Sequence, residues 1–285
     1  MIRKHNDIDD DEIRIISPVS KRPANKSRKH FAWLCGVVSL IVIGVITAIL
    51  LTGNKLENIA GDGGKQIDSR LTHTSVNPAS GKNPYTERKD TSVNGIGLSI
   101  FTPHNAAATL QVGPKTINDT TAVLIAQAAD VRGDNGEIAG TFVVNGELVG
   151  KGEAKAGFCS IINGEITVGV ADATPMLEEA LRSEGYFFRQ YPLVVGGQIV
   201  ENKPRGKAIR KALAEIGGRI SVIASNERVS FRDFSQALID AGVSNAIYLV
   251  GGDSYCIYRD ASGARTILGR AWDKKWVKVN YLVWR

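Results

Sequence analysis

The chain has 285 residues, with 35 Lys and Arg against 29 Asp and Glu, a formal net charge of +6 and a pI near 9.2. Residues 1–30 carry eight Lys/Arg and five Asp/Glu, a balance of +3, which leaves +3 for the rest; the basic pI reads mostly as a topology signal, and no nucleic-acid partner is expected. Of four histidines only His104 lies in the part that reads as folded, so a His/Cys metal centre lacks ligands and a Ser–His–acid triad has a single candidate.

In chain order, Asp7, Asp9, Asp10, Asp11 and Glu12 form an acidic patch in a tail poor in large apolar residues, which reads as solvated and disordered over 1–30. Residues 31–51 are one uncharged apolar run, FAWLCGVVSLIVIGVITAILL. At about 1.5 Å per residue such a run spans the hydrocarbon core of a bilayer, about 30 Å thick, and predicts a transmembrane helix. A cleaved signal peptide would have a shorter apolar core, and a buried helix an amphipathic one. Lys21, Arg22, Lys26, Arg28 and Lys29 precede the run, whereas only Lys55 follows closely. That asymmetry predicts a single-pass membrane protein with a cytoplasmic N-terminus and a periplasmic or extracellular C-terminal domain. Residues 52–94 are polar and aperiodic and read as a flexible linker. Residues 95–285 are long enough for one domain with a sizeable core.

Within that domain, turn signals recur between apolar segments at Asn145-Gly146, Asn163-Gly164, Gly196-Gly197 and Gly217-Gly218. Each supplies the positive φ angles of a two-residue hairpin. Thr174-Pro175 opens one helix, closed by Gly185; Ser230, with Asp233 three residues on, opens a second, closed by Gly242. The expected class is α+β, a largely antiparallel or mixed sheet meander with a few helices, preceded by the membrane helix. Cys159 (GFCSII) and Cys256 (SYCIYR) sit in strand-like stretches and read as buried thiols; no spacing motif supports a disulfide between them. Trp276, Tyr281 and Trp284 read as a terminal strand closing the core.

The segment AIYLV runs into Gly251-Gly252-Asp253-Ser254, a turn at the carboxyl end of a strand that follows a capped helix. Taken in order with AVLIAQAADVRGDNGEIAGTFVV, FFRQYPLVVGGQIV and AIRKALAEIGGRISVIAS, it resembles the phosphodiester glycosidase family, whose members cleave a sugar from a phosphodiester. The resemblance covers about residues 122–258. Gln190 with Pro192 and Leu193 matches that family's Gln–Pro–Leu element, and Arg210 with Ala212 its Arg–Thr–Ala element, with Lys211 in place of Thr. Leu249, Gly251, Gly252 and Ser254 match its terminal glycine motif. The sequence departs from the pattern at Val250, where the family has Asp, at Asp253, where it has a third Gly, and at Gln127 to Val131, where its Asn-x-Gly-aromatic element is missing.

The resemblance implies hydrolysis of a sugar-1-phosphodiester with no cofactor. Arg210, backed by Arg189 and Arg132, would grip the phosphate through a planar two-pronged fork. Asp253 and Asp130 would face the cationic sugar centre. Gln190 and Ser254 would bond hydroxyls or phosphate oxygens, and Gly251 and Gly252 would let backbone approach the ligand. Each residue also has a plain reading: Arg210 a solvated strand-edge residue, Gln190 a surface amide, Asp253 and Ser254 turn stabilisers, and Asp130 a cap on the turn at Gly133. Val250 supports an alternative, a catalytically inactive envelope module of the same fold that binds a glycan or a protein.

Overall fold

The computed structural model describes residues 72–75 (backbone only), 82–152, 155–270 and 278–285, all in one compact unit. Its strands, in chain order, are β1 (Thr72–Ser75), β2 (Tyr85–Val93), β3 (Ile96–His104), β4 (Ala108–Val112), β5 (Leu124–Gln127), β6 (Phe142–Val144), β7 (Glu147–Gly150), β8 (Gly157–Ile162) and β9 (Glu165–Val170). Then come β10 (Tyr186–Gln190), β11 (Pro192–Val195), β12 (Gln198–Ile199), β13 (Lys211–Ile216), β14 (Arg219–Ser225), β15 (Val243–Leu249), β16 (Cys256–Arg259), β17 (Arg265–Leu268) and β18 (Asn280–Trp284). Among the described residues two α-helices interrupt them, α1 (Pro175–Arg182) and α2 (Phe231–Asp240).

The strands form three sheets, in the orders β1-β9-β8-β10-β6-β7, β12-β11-β15-β13-β14-β3-β2 and β17-β16-β5-β18-β4. Every strand pairing is antiparallel. The expected α+β class is therefore corrected on three points. Among the described residues the sheets are not mixed, the α-helices are two short elements on a β fold, and the order is not a meander. Local hairpins such as β13–β14 are present, but β15 inserts between β11 and β13, and β5 between β16 and β18. The reason lies in burial: β8 and β5 are buried on both faces and β15 nearly so, so each needs neighbours on both edges and cover on both sides. The expected membrane helix at residues 31–51 lies outside the described residues, and no described helix is long and apolar enough to cross a membrane.

Local chemistry accounts for the turns and caps. Asn145 and Gly146 have φ of 49° and 78°, and Gly217 and Gly218 of 57° and 72°, the left-handed pairs that match a hairpin's twist. The Thr174 side chain accepts from the Met176 N–H at 3.3 Å, with Pro175 in the first turn. The Ser230 hydroxyl accepts from the Asp233 N–H at 3.0 Å. Helix α2 lays Phe231, Phe234 and Leu238 against Leu193, Ala212 and Tyr248 of the second sheet. A wholly buried side chain such as Phe234 contributes about 2–3 kcal/mol through lost apolar surface. Helix α1 covers Phe158 and Phe187 of the first sheet with Ala180, Met176 and Leu177.

Ordered pairing begins upstream of residue 95. Strand β2 runs along the whole of β3 from Tyr85↔His104 to Val93↔Ile96, and β1 pairs with β9. The described cysteines, Cys159 and Cys256, are both free and buried. Burial pushes the Cys256 thiol up to about 11 and Cys159 upward as well. Trp284 is wholly buried in β18, and Trp276 lies outside the described residues.

Candidate functional site

Five strand ends deliver side chains to one place. Asp130 follows β5, Lys155 precedes β8, Gln190 ends β10, Arg210 precedes β13, and Tyr248 lies near the end of β15. The loop after β5 is positioned by Asn280, whose amide accepts from the Ala129 N–H at 2.7 Å and donates to the Ala129 carbonyl at 3.0 Å. The next residue, Asp130, turns its carboxylate toward Lys155, and Nζ donates to Oδ2 at 2.5 Å. The same ammonium donates to Gln190 Oε1 at 2.7 Å and lies 4.3 Å from the centre of the Tyr191 ring.

Gln190 is wholly buried. Its Oε1 also accepts from the Tyr191 N–H at 3.0 Å, whereas its Nε2 has no hydrogen-bond partner among the described residues. Close strand approach holds the residue: opposite it, Gly157 has no room for a Cβ, which would lie 2.5 Å from the Gln190 carbonyl oxygen. A buried amide donor without a partner costs about 1–3 kcal/mol, so this one marks a place where an acceptor belongs.

Arg210 is a buried residue, 2% exposed, rather than a strand-edge side chain in solvent. Its Nε donates to the Val229 carbonyl at 3.2 Å and Nη2 to the Gly206 carbonyl at 3.0 Å, and the guanidinium lies 4.3 Å from the Phe231 ring centre. The Arg210 guanidinium also lies 5.9 Å from the centre of the Tyr248 ring. Burial pushes the Tyr248 hydroxyl up to about 12, and the charge of Asp130 adds to the rise, while Arg210 works against it. The Tyr248 hydroxyl accepts the Gly251 N–H at 3.1 Å, tying the glycine turn to the cluster.

The remaining residues singled out in the sequence lie in contacts of their own, and the expected carboxylate Asp253 is not among the residues that meet at Lys155. Arg189 is buried and donates to the carbonyls of Lys155 (3.0 Å), Ala171 (2.6 Å) and Asp172 (3.1 Å), so it fixes the loop that carries Lys155. Burial lowers its pKa. Arg132 forms a two-pronged pair with Asp134 on a surface turn, at 3.1 and 2.8 Å. Asp253 pairs with Arg270 at 2.8 Å, with side chains 56% and 75% exposed. Ser254 is buried; its hydroxyl donates to the Val250 carbonyl at 2.5 Å and accepts from Lys211 Nζ at 2.8 Å. Gly251 is required by packing, since a Cβ there would sit 2.2 Å from the Ile209 carbonyl oxygen, and Gly252 adopts φ 56°.

The structure thus joins Asp130 to Gln190 through Lys155, and Arg210 to Gly251 through Tyr248. Sequence reasoning missed Lys155, Tyr191 and Tyr248. Lys155 carries no spacing signal, and Tyr248 is hidden in an apolar strand pattern. Among the described residues no cluster of His, Cys, Asp or Glu could hold a metal ion.

No family model and no curated protein matches the chain. Among solved structures, the catalytic domain of zebrafish N-acetylglucosamine-1-phosphodiester alpha-N-acetylglucosaminidase, auto-inhibited by pro-peptide, matches with a TM-score of 0.53. The two share a fold. Identity is 12%, over 75% of this chain and 87% of that one, which makes the relationship a distant one of fold. A hypothetical protein from Synechocystis also matches at 12% identity, with a TM-score of 0.43, over 71% of this chain and 62% of that one.

Proposed function

We propose that the domain is a phosphodiester-glycosidase-type hydrolase acting on a sugar joined through phosphate, at the cluster of Asp130, Lys155 and Gln190. The observation that carries this reading is Gln190 Nε2, a wholly buried donor lacking a partner among the described residues, beside a carboxylate and an ammonium. A hydroxyl of the sugar or an oxygen of the phosphate supplies the acceptor. The carboxylate of Asp130 stabilises the positive charge that develops on the ring as the anomeric C–O bond breaks. The phosphate monoester leaves with the electron pair, so no strong acid has to protonate it, and Lys155 offsets its charge. Water adds to the anomeric carbon and its proton passes to the departing phosphate monoester dianion. Arg210 acts from behind, holding Tyr248 and the loop at Gly206 in place.

The test is hydrolysis of a panel of sugar-1-phosphodiesters by the full chain, read as released phosphate monoester and free sugar. Turnover of at least one member, lost in Asp130→Asn, is expected. A parent that turns over none of them overturns the reading. A second reading, a glycan-binding module without catalysis, is favoured by one observation: Val250 carries no carboxylate, and the nearby Asp253 faces solvent in a pair with Arg270. Saturable binding of panel members without turnover would establish that module.

A further inference from the structure

The groups around the Lys155 ammonium are those that recognise a cation. A carboxylate oxygen lies at 2.5 Å, an amide carbonyl oxygen at 2.7 Å and an aromatic ring centre at 4.3 Å. The occupant is tethered yet able to leave. The backbone of Lys155 is pinned, because its carbonyl accepts from Arg189 Nη1 at 3.0 Å and the next carbonyl, of Ala156, accepts from the Ala171 N–H at 2.8 Å. The flexible four-carbon stem is what remains free to turn, and the side chain is 18% exposed. On the same amide, Gln190 Nε2 is shut away from solvent and has no partner among the described residues.

An ammonium in this position conflicts with a resident role in sugar chemistry. It occupies the carboxylate that a positively charged ring would need, and it covers the Tyr191 face on which a sugar would stack. We infer that Lys155 is a substrate-displaced plug: in the free protein its ammonium stands where the positive charge of the bound sugar sits, and the phosphate of the substrate draws it out. This rests on the sugar-phosphate reading of the site. The swap conserves charge pairing, since Asp130 exchanges the ammonium for the sugar cation while Lys155 exchanges Asp130 for the phosphate. It also opens Gln190 Nε2 to a ligand oxygen. The ligand class is a pyranose whose ring carries positive charge, in the transition state or permanently.

A protonated iminosugar, a polyhydroxylated piperidinium, has that charge and no phosphate to draw the plug away. It should compete poorly with a tethered ammonium and well once the tether is cut. The experiment titrates the piperidinium and its neutral parent sugar into the full chain by calorimetry, for the parent, Lys155→Ala and Lys155→Met. Both variants should bind the piperidinium at least about tenfold more tightly than the parent does, with neutral-sugar affinity changed less than about threefold. Adding Asp130→Asn should erase the gain. Lys155→Met keeps the apolar stem over Tyr191, and melting curves of both variants check that they fold. Equal or weaker piperidinium binding in the folded variants overturns the plug, as does an equal gain for the neutral sugar, which would report added space alone. Hydrolysis is not read here. A parent that hydrolyses no phosphodiester but shows the gain loses the enzymatic reading and keeps the plug; an active parent whose variants show no gain loses only the plug.

Discussion

Lys211 holds Ser254 from within the sheet: its Nζ donates to the Ser254 carbonyl at 2.5 Å and to the hydroxyl at 2.8 Å. The lysine is buried in β13, beside the strand start that carries Arg210, so the floor of the site and the glycine turn are joined by one cation. Both of its acceptors are neutral groups.

That contact predicts a pH signature. Burial pushes Lys211 down from 10.5 to about 8, against the opposing pull of Cys256 and Asp253. Between those pH values the unfolded chain binds more protons than the folded one, so this group's contribution to stability rises with pH across the window. Below about pH 8 the cost of the buried charge is fully present. Urea unfolding of the parent and of Lys211→Met from pH 7.5 to 10 should therefore diverge in the parent's favour, by roughly 1–3 kcal/mol. Parallel curves would show that Lys211 keeps an ordinary lysine's affinity for its proton.

Replacing Arg210 by Lys should damage the fold as well as the site. A lysine cannot make the contacts to Val229 and Gly206 together, nor stack its charge flat on Phe231. The expected loss is about 2–3 kcal/mol in chemical denaturation, accompanied by loss of ligand binding. A phosphate ligand standing in solvent would instead lose binding with its melting temperature unchanged.

Gln190→Met should separate function from stability. Methionine fills a similar volume and removes the Nε2 that lacks a partner among the described residues, while giving up the bonds from Lys155 and the Tyr191 N–H. Unfolding free energy should stay within about 1 kcal/mol of the parent, because these terms oppose one another. Phosphodiester turnover should fall by about tenfold or more, the loss of one aimed hydrogen bond in a dry site. A large drop in stability with full turnover would make the amide purely structural.

The two turn glycines should respond differently to alanine. At Gly251 a Cβ would strike the Ile209 carbonyl at 2.2 Å and the Tyr248 hydroxyl at 2.8 Å, so about 2–3 kcal/mol should be lost as the turn is driven from β13. At Gly252 the cost comes from its φ of 56°, and about 1 kcal/mol is expected. Thermal melting of the pair measures the difference, and equal losses would count against the Gly251 clash.

Hairpins and helices were legible in the sequence because their causes are local. A positive-φ pair at Asn145-Gly146 or Gly217-Gly218, or a capping side chain at Thr174 or Ser230, acts on backbone a few residues away. Strand β2 escaped that reading because most of it lies at a sheet edge in solvent, with Glu87, Arg88, Lys89 and Asp90 exposed, and its charges resemble those of a tether. Sheet order was not legible either. Insertion of β15 between β11 and β13 is decided by which strands buried on both faces can cover each other, not by any neighbour in the chain.

For the site, the sequence marked Asp130, Gln190, Arg210, the Gly251-Gly252 turn and Asp253 only through the resemblance of its ordered segments to a known family, and Asp253 stands in an exposed pair with Arg270. Only the tertiary structure decided that Asp130 and Gln190 meet across Lys155, and that Arg210 lies buried beside the rings of Phe231 and Tyr248. Lys155 is 25 residues from Asp130 and 35 from Gln190, and no periodicity spans such separations. Whether a charge serves as a ligand, a prop or a plug depends on burial and on the partners within about 3 Å, and strands distant in sequence supply both once the sheets have paired.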